Sequence, residues 1–206
     1  MDPGSNSPPD VRRLPRDAFP HETVAFARAL IGKSLIHDLP EGRAGLRIVE
    51  TEAYVVGDAA SHAFIGQTAH NAVLFGEFGF AHVYLGYGVS WLLNVVTEGP
   101  GVGAGVLLRA GEPVWGVEIM MERRGRLRLL DLASGPGKLA KAIGVDKSFD
   151  GIDYFGGGPL WFGDAVRAPG EIGVSTRIGL TKEADRPLRF YERGNAFVSG
   201  PRKLSP

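Results

Sequence analysis

The chain has 206 residues, of which 44% are hydrophobic and 22% charged, with zero formal net charge and no cysteine. That length and balance suit one globular domain with a sizeable core. The missing cysteine excludes disulfides, thiolate zinc sites and a cysteine nucleophile. No apolar run is long enough to span a bilayer, so an intracellular setting without a membrane partner is expected.

Residues 1–17 are rich in Pro, Asp, Ser and Arg and hold no apolar core; a disordered tail is expected there, followed by a single domain over residues 18–206. Residues 21–31 read as a helix with Val24, Ala27, Leu30 and Ile31 on one face and Gly32 placed to end it. Residues 35–39 and 45–54 read as strands. Residues 58–78 are irregular and dotted with glycine, and a loop of that length in a compact domain is commonly functional. Residues 81–96 read as two strands joined at Gly86-Tyr87-Gly88, since glycines accept the positive φ of a tight turn. This leaves the bulky Tyr87 at a hairpin tip. Residues 105–110 form a further strand, and Pro113 suits the first turn of a helix reaching Arg124. Ser134-Gly135-Pro136-Gly137-Lys138 opens another helix, which Gly144 closes. Strands return at residues 160–162, 172–178 and 188–191, and the chain after Val198 is expected to be loose. Strands and helices do not alternate regularly, so an α+β domain is expected rather than a doubly wound parallel sheet.

Charge is unevenly spread. Residues 1–100 carry 7 Lys/Arg against 11 Asp/Glu, and residues 101–206 carry 16 against 12. Basic clusters stand at Arg123/Arg124/Arg126/Arg128, Lys138/Lys141/Lys147 and Arg186/Arg189/Arg193. One basic face on a neutral protein still binds phosphates by releasing counterions, although ordinary solvated surface explains each cluster taken singly.

Ile48-Val49-Glu50-Thr51-Glu52-Ala53-Tyr54 puts two carboxylates where a half-buried strand normally carries apolar side chains. In an extended chain Leu46, Ile48, Glu50, Glu52 and Tyr54 share one face, with the two carboxylates roughly 6–7 Å apart. Both face solvent, or else a cation, a hydrogen bond or a chemical task holds them inside. Glu52, Asn94 and Arg109 each interrupt an otherwise apolar segment. Arg109 either forms a structural ion pair with Glu52 or helps it orient a water as a general base. Tyr54, His62 and Tyr84 supply aromatic walls suited to a flat heterocycle.

Other motifs are weaker. Gly135-Pro136-Gly137-Lys138 lacks the full P-loop pattern because Leu139 follows the lysine, though a helix N-terminus beside Lys138 is a seat for phosphate. His62 and His70, eight residues apart in an irregular loop, make a poor metal signature, and no Gly-x-Ser-x-Gly elbow exists. No metal and no cofactor are expected.

These residues, taken as ordered blocks, resemble the alkyladenine (3-methyladenine) DNA glycosylase family of monofunctional base-excision repair enzymes. The blocks are residues 48–54, His62, Val83-Tyr84-Leu85-Gly86-Tyr87-Gly88 with Asn94, Val106-Leu107-Leu108-Arg109-Ala110 with Glu112-Pro113, residues 134–139, Lys147-Ser148-Phe149-Asp150, and Pro187-Leu188-Arg189-Phe190-Tyr191 with Arg193-Gly194. The match spans residues 30–198. It implies a compact mixed domain around a curved antiparallel sheet, with surrounding helices and a protruding β-hairpin. By the same resemblance Glu52 is the base that activates the hydrolytic water and Arg109 helps hold that water. Tyr54 and Tyr84 sandwich the flipped base, His62 forms the pocket wall, and Asn94 disfavours guanine by crowding its exocyclic amine. Tyr87 is implied to wedge into the duplex. Lys138, Lys147 and Arg193 are candidate phosphate contacts. The implied partner is double-stranded DNA containing damaged purines, bound by a monomer and cleaved without a lysine Schiff base. Departures from the family pattern fall at His82 and Trp91, where other aromatics are expected, and in residues 55–62, 66–78 and 97–105. A nonenzymatic nucleic-acid-binding module and a nucleosidase are the alternative readings. The module has no need of Glu52 and Arg109, and the nucleosidase has no need of Tyr87.

Overall fold

The structure is a computed structural model, and it describes residues 10–86 and 88–201. Its centre is one antiparallel sheet of eight strands: β1 (Ser34–Leu39), β2 (Gly42–Tyr54), β3 (Ala81–Gly86), β4 (Ser90–Val96), β5 (Gly105–Trp115), β6 (Leu160–Gly163), β7 (Ile172–Ser175) and β8 (Arg189–Glu192). The main path runs β3-β4-β5-β2-β1-β6, with β8 joining β2 and β7 joining β8. The 13-residue β2 is the hub. One of its edges pairs with β5, while the other pairs first with β1 and then, over Glu50–Glu52, with β8. A strand with three partners curls the sheet around itself, in agreement with the expected α+β class.

Three helices cover the sheet: α1 (Thr23–Ala29), α2 (Val117–Arg124) and α3 (Pro136–Ile143). The Glu22 carboxylate caps α1 by accepting from the Val24 and Ala25 amides, and Phe26, Ala27, Leu30 and Ile31 are buried. Helix α1 lies against β2, where the Thr51 hydroxyl donates to the Ala27 carbonyl at 2.9 Å. On this side of the sheet Ala53, Val83, Leu93, Val95, Val106 and Leu108 join Phe26 and Phe162 in the main apolar core. Among the described residues, no helix is long and apolar enough to cross a membrane.

Three expectations need correction. The helix read from Pro113 starts at Val117 instead, because β5 continues through Pro113 to Trp115. Pro113 pairs with Leu46 beside a register shift, the kind of place where a strand tolerates a residue without an N–H. The turn into α2 falls on Gly116 (φ 61°), where any Cβ would strike the Arg43 carbonyl. The packed domain also begins earlier than residue 18. Val11 is buried with Ile36, Trp115 and Trp161, and the Leu14 amide donates to the Phe162 carbonyl. The remainder of the expected tail, residues 1–9, lies outside the described residues. Finally, the chain just after Val198 is not loose: Ser199 is buried and bound to Glu50.

Candidate active site

Cross-strand register brings the polar residues together. Residues directly opposite in an antiparallel ladder project from the same face. His82 lies opposite Asn94, Asn94 opposite Leu107, Leu107 opposite Glu52, and Glu52 opposite Arg189. This one row crosses five strands and gathers side chains more than a hundred residues apart in sequence. The adjacent row holds Tyr84, Leu92 and Glu50. The β2–β5 ladder slips on either side of Glu50, so Arg109 falls between the Leu108 and Ala110 pairings. Tyr54 lies opposite Gly105, where a Cβ would come within 3.0 Å of the Val95 carbonyl oxygen.

Glu50 and Glu52 are both fully buried, and neither faces solvent. Glu52 Oε1 accepts the Ile178 amide at 2.8 Å and sits 3.2 Å from Arg109 Nη1; Oε2 accepts the Tyr54 hydroxyl at 3.0 Å. Burial pushes the Glu52 carboxyl above its ordinary pKa, and the Glu50 charge adds to this. Arg109 and the Ile178 amide oppose the rise without cancelling it. Glu50 is held differently. It accepts Arg189 Nε at 2.6 Å, Arg109 Nε at 3.1 Å and the Ser199 amide at 2.7 Å. Arg109 thus bridges both carboxylates. Burial alone would lower its pKa, but Glu52 and Glu50 outweigh that and keep it charged.

Tyr54, Arg109 and Ile178, which surround the Glu52 carboxylate, all line a cleft of about 430 Å³ together with His62, Tyr84 and Leu180. The cleft continues into a narrower recess lined by Tyr54, Ser61, His62, His82, Tyr84 and Asn94. The rings of His62 and Tyr84 are 4.1 Å apart, and His82 stacks beside Tyr84 at 5.5 Å. Burial lowers the pKa of His62 and takes that of His82 down to about 4, despite the Asp150 carboxylate 3.2 Å from His82 Nδ1. Both imidazoles are therefore neutral near pH 7. Asn94 donates from Nδ2 to the His82 carbonyl at 3.2 Å, which fixes its amide at the recess. Aromatic walls, a buried carboxylate and an adjacent fixed cation suit a flat base at one end and a developing positive charge at the other.

Of the residues singled out in the sequence, Arg109, Tyr54, His62, Tyr84 and Asn94 line the cleft or its recess, and Glu52 lies wholly buried behind Tyr54 and Arg109. Tyr87 lies outside the described residues; beside it Gly86 pairs with Ser90 and Gly88 has φ 68°. The three basic candidates are not together. Lys138 is half-buried in the first turn of α3 and lines a groove with Arg123, Arg124 and Lys141 beside the hairpin. Lys147 is committed to Asp150 at 2.8 Å and to the Val83 carbonyl, and Arg193 lies 3.0 Å from Glu171. Among the described residues, no group of three His, Asp or Glu side chains converges where a metal could bind.

Sequence reasoning gave no part to Arg177, Asp58 and Ser199, and took Arg189 only as a member of a basic cluster and of a family block. Arg177 and Arg189 each interrupt an apolar strand-like segment, the same signal that drew attention to Arg109. Ser199 gave no signal, because it acts mainly through its backbone.

The chain is similar to known proteins over most of its length. Residues 17–196 match the family described as Methylpurine-DNA glycosylase (MPG). A protein of Mesorhizobium japonicum named "Putative 3-methyladenine DNA glycosylase" is 58% identical, covering 98% of this chain and 95% of its own. Proteins of the same name from Paraburkholderia phytofirmans and Methanocella arvoryzae are 54% and 46% identical, over 93% and 90% of this chain and 90% and 95% of theirs.

Proposed function

We propose a mechanism for this chain, which belongs to the methylpurine-DNA glycosylase family and is a DNA repair glycosylase, a hydrolase that acts on DNA. The substrate is duplex DNA carrying an alkylated or deaminated purine, bound by a single copy of the protein where the chromosome lies. A base inside a duplex cannot be reached, so the nucleotide is rotated out at a cost of a few kcal/mol in stacking and pairing. Damaged bases pair poorly and cost less to extrude, which favours them before they reach the pocket. Tyr87, between Gly86 and Gly88, wedges into the vacated stack and offsets part of that cost.

The extruded purine enters between the Tyr54 and Tyr84 walls beside His62, with Asn94 at the recess testing its edge. The C1′–N9 bond breaks with its electron pair leaving on the purine, and positive charge develops on the sugar. A water oxygen bonds to C1′, and Glu52 takes the water's proton. Arg109 holds that water and, being shared with Glu50, does not fully neutralise Glu52. No lysine is among the described residues lining the cleft, so water rather than an amine attacks, and an abasic site is left. Lys138 contributes a phosphate contact along the groove beside the hairpin.

The observation that carries this reading is the buried Glu52 carboxylate, with a raised pKa and one shared cation, behind the wall of an aromatic cleft. Its test is Glu52→Gln on duplexes with a single hypoxanthine or 3-methyladenine. Release of free base under single turnover is expected to fall by about 10²–10⁴-fold while affinity for the lesion duplex persists. Cleavage at the wild-type rate in that variant removes Glu52 from the role.

A further inference from the structure

Asp58 and Arg177 form a further buried ion pair, both side chains wholly inaccessible, beside the carboxylate but outside the chemistry just described. Arg177 Nη2 donates to Asp58 Oδ1 at 3.0 Å, and Nη1 bonds the other carboxylate oxygen and the Ala53 carbonyl. The guanidinium lies over the Tyr54 ring, 4.6 Å from its centroid. Asp58 also accepts the Ala60 amide, so it organises the loop that carries Ala60, Ser61 and His62 into the cleft wall. Arg177 directly precedes Ile178, whose amide binds Glu52, and Ile178, Gly179 and Leu180 form the opposite lip. One ion pair thus fastens both lips of the cleft to each other, and to Tyr54 and the strand end at Ala53.

We infer that Asp58–Arg177 is a positioning pair for the glycosylase reaction: it holds the Ile178 amide and the Tyr54 hydroxyl on the Glu52 carboxylate, and so sets when that carboxylate can accept a proton. This rests on the proposed role of Glu52. An unneeded buried charge pair is costly, and apolar replacements of similar volume often serve stability as well. Retaining the pair here makes sense through what it aligns. The charged and titratable groups facing Glu52 are Arg109 from β5, Glu50 and Tyr54 from its own strand, and Arg189 opposite on β8. Arg177 acts on Glu52 through its neighbour's amide and through the tyrosine beneath it. Loss of the Ile178 N–H removes a donor that favours the ionised carboxylate, so the acid limb of the rate profile moves to higher pH.

The test replaces the pair as a unit, Asp58→Leu with Arg177→Met, so that no charge is stranded. Folding is checked by circular dichroism, and single-turnover excision is followed from pH 5 to 9. The expected result is a loss of about 10- to 100-fold near neutrality, partly regained at higher pH, with the acid limb displaced upward. Arg177→Lys keeps the charge but loses the two-pronged contact and the stacking, and should fall between that double variant and wild type. A folded double variant with the wild-type rate and profile overturns the inference; so does a slower one whose acid limb has not moved, which would make the pair merely structural. If the double variant does not fold, Arg177→Lys decides by the same criterion of a moved or unmoved limb. Glu52→Gln run alongside separates the two proposals. If it is inactive while the pair variants match wild type, only the positioning role fails; if it keeps wild-type cleavage, the role of Glu52 fails first.

Discussion

Glu50 and Glu52 are two residues apart on one strand, share a face and an arginine, and are equally buried, yet their surroundings prepare them for opposite tasks. The Glu50 side is closed. Two guanidiniums and the Ser199 amide occupy its oxygens, tying β2, β5, β8 and the chain after Val198 together. The Glu52 side has one shared cation and two neutral donors, Ile178 N–H and Tyr54 O–H, and all three of those residues line the cleft. Burial raises the Glu52 carboxyl above its ordinary pKa, and its single shared cation and neutral donors oppose that rise without cancelling it. The pair therefore divides into an anchor that holds Arg109 and a less enclosed carboxylate beside the cleft, the one proposed as the base.

The contrast can be broken most directly through stability. Glu50→Gln removes the carboxylate that neutralises buried Arg189, and should destabilise the protein by about 3–5 kcal/mol in urea unfolding at pH 7. Glu52→Gln should be neutral or stabilising at that pH. The sign follows from linkage. A carboxyl whose folded pKa is raised favours the fold most below its unfolded pKa, near 4.5, and that contribution is lost as pH rises through the folded value. The glutamine variant should lack this decline above pH 4.5. Equal losses in both variants would erase the distinction between anchor and base.

A smaller effect sharpens the Glu52 side. Tyr54→Phe keeps the aromatic wall and deletes one donor to the carboxylate. Excision should slow by about 10-fold, the equivalent of one hydrogen bond of roughly 1.4 kcal/mol, with the acid limb moving upward and lesion-duplex affinity little changed. Single-turnover rates across pH would show it, and an unchanged profile would remove the hydroxyl from any part in tuning Glu52.

The smallest effect lies outside both carboxylates. Lys138→Ala should reduce the slope of log affinity against log salt by about 1, with the excision rate of bound lesion unchanged. Fluorescence anisotropy over a salt series measures it, and an unaltered slope would take Lys138 off the phosphate path. Lys147 is a weaker candidate, because its ammonium is already shared between Asp150 and the Val83 carbonyl.

Much was legible in the chain itself. The β3–β4 hairpin announced itself through Gly86-Tyr87-Gly88, and α3 through Pro136 near its start and Gly144 at its end. Glu52, Asn94 and Arg109 stood out because each interrupts an apolar run. Where reading failed, a local signal was overridden by pairing partners distant in sequence. Pro113 looks like a helix opener until Leu46, far upstream, takes it into the sheet. Ser199 looks like loose chain until Glu50 claims its amide.

The sequence by itself determined the family, the α+β class and which side chains are out of place for a purely structural strand, because those properties are carried by composition, period and ordered blocks. Only the tertiary structure decided how the two matching carboxylates are held, Glu50 by two guanidiniums and a backbone amide, Glu52 by one shared cation and two neutral donors. That difference depends on Arg177, Ile178, Arg189 and Ser199, which strand pairing and loop closure bring from more than a hundred residues away. Desolvation and charge act through space, and period-two alternation along β2 makes Glu50 and Glu52 equivalent until the rest of the chain has folded around them.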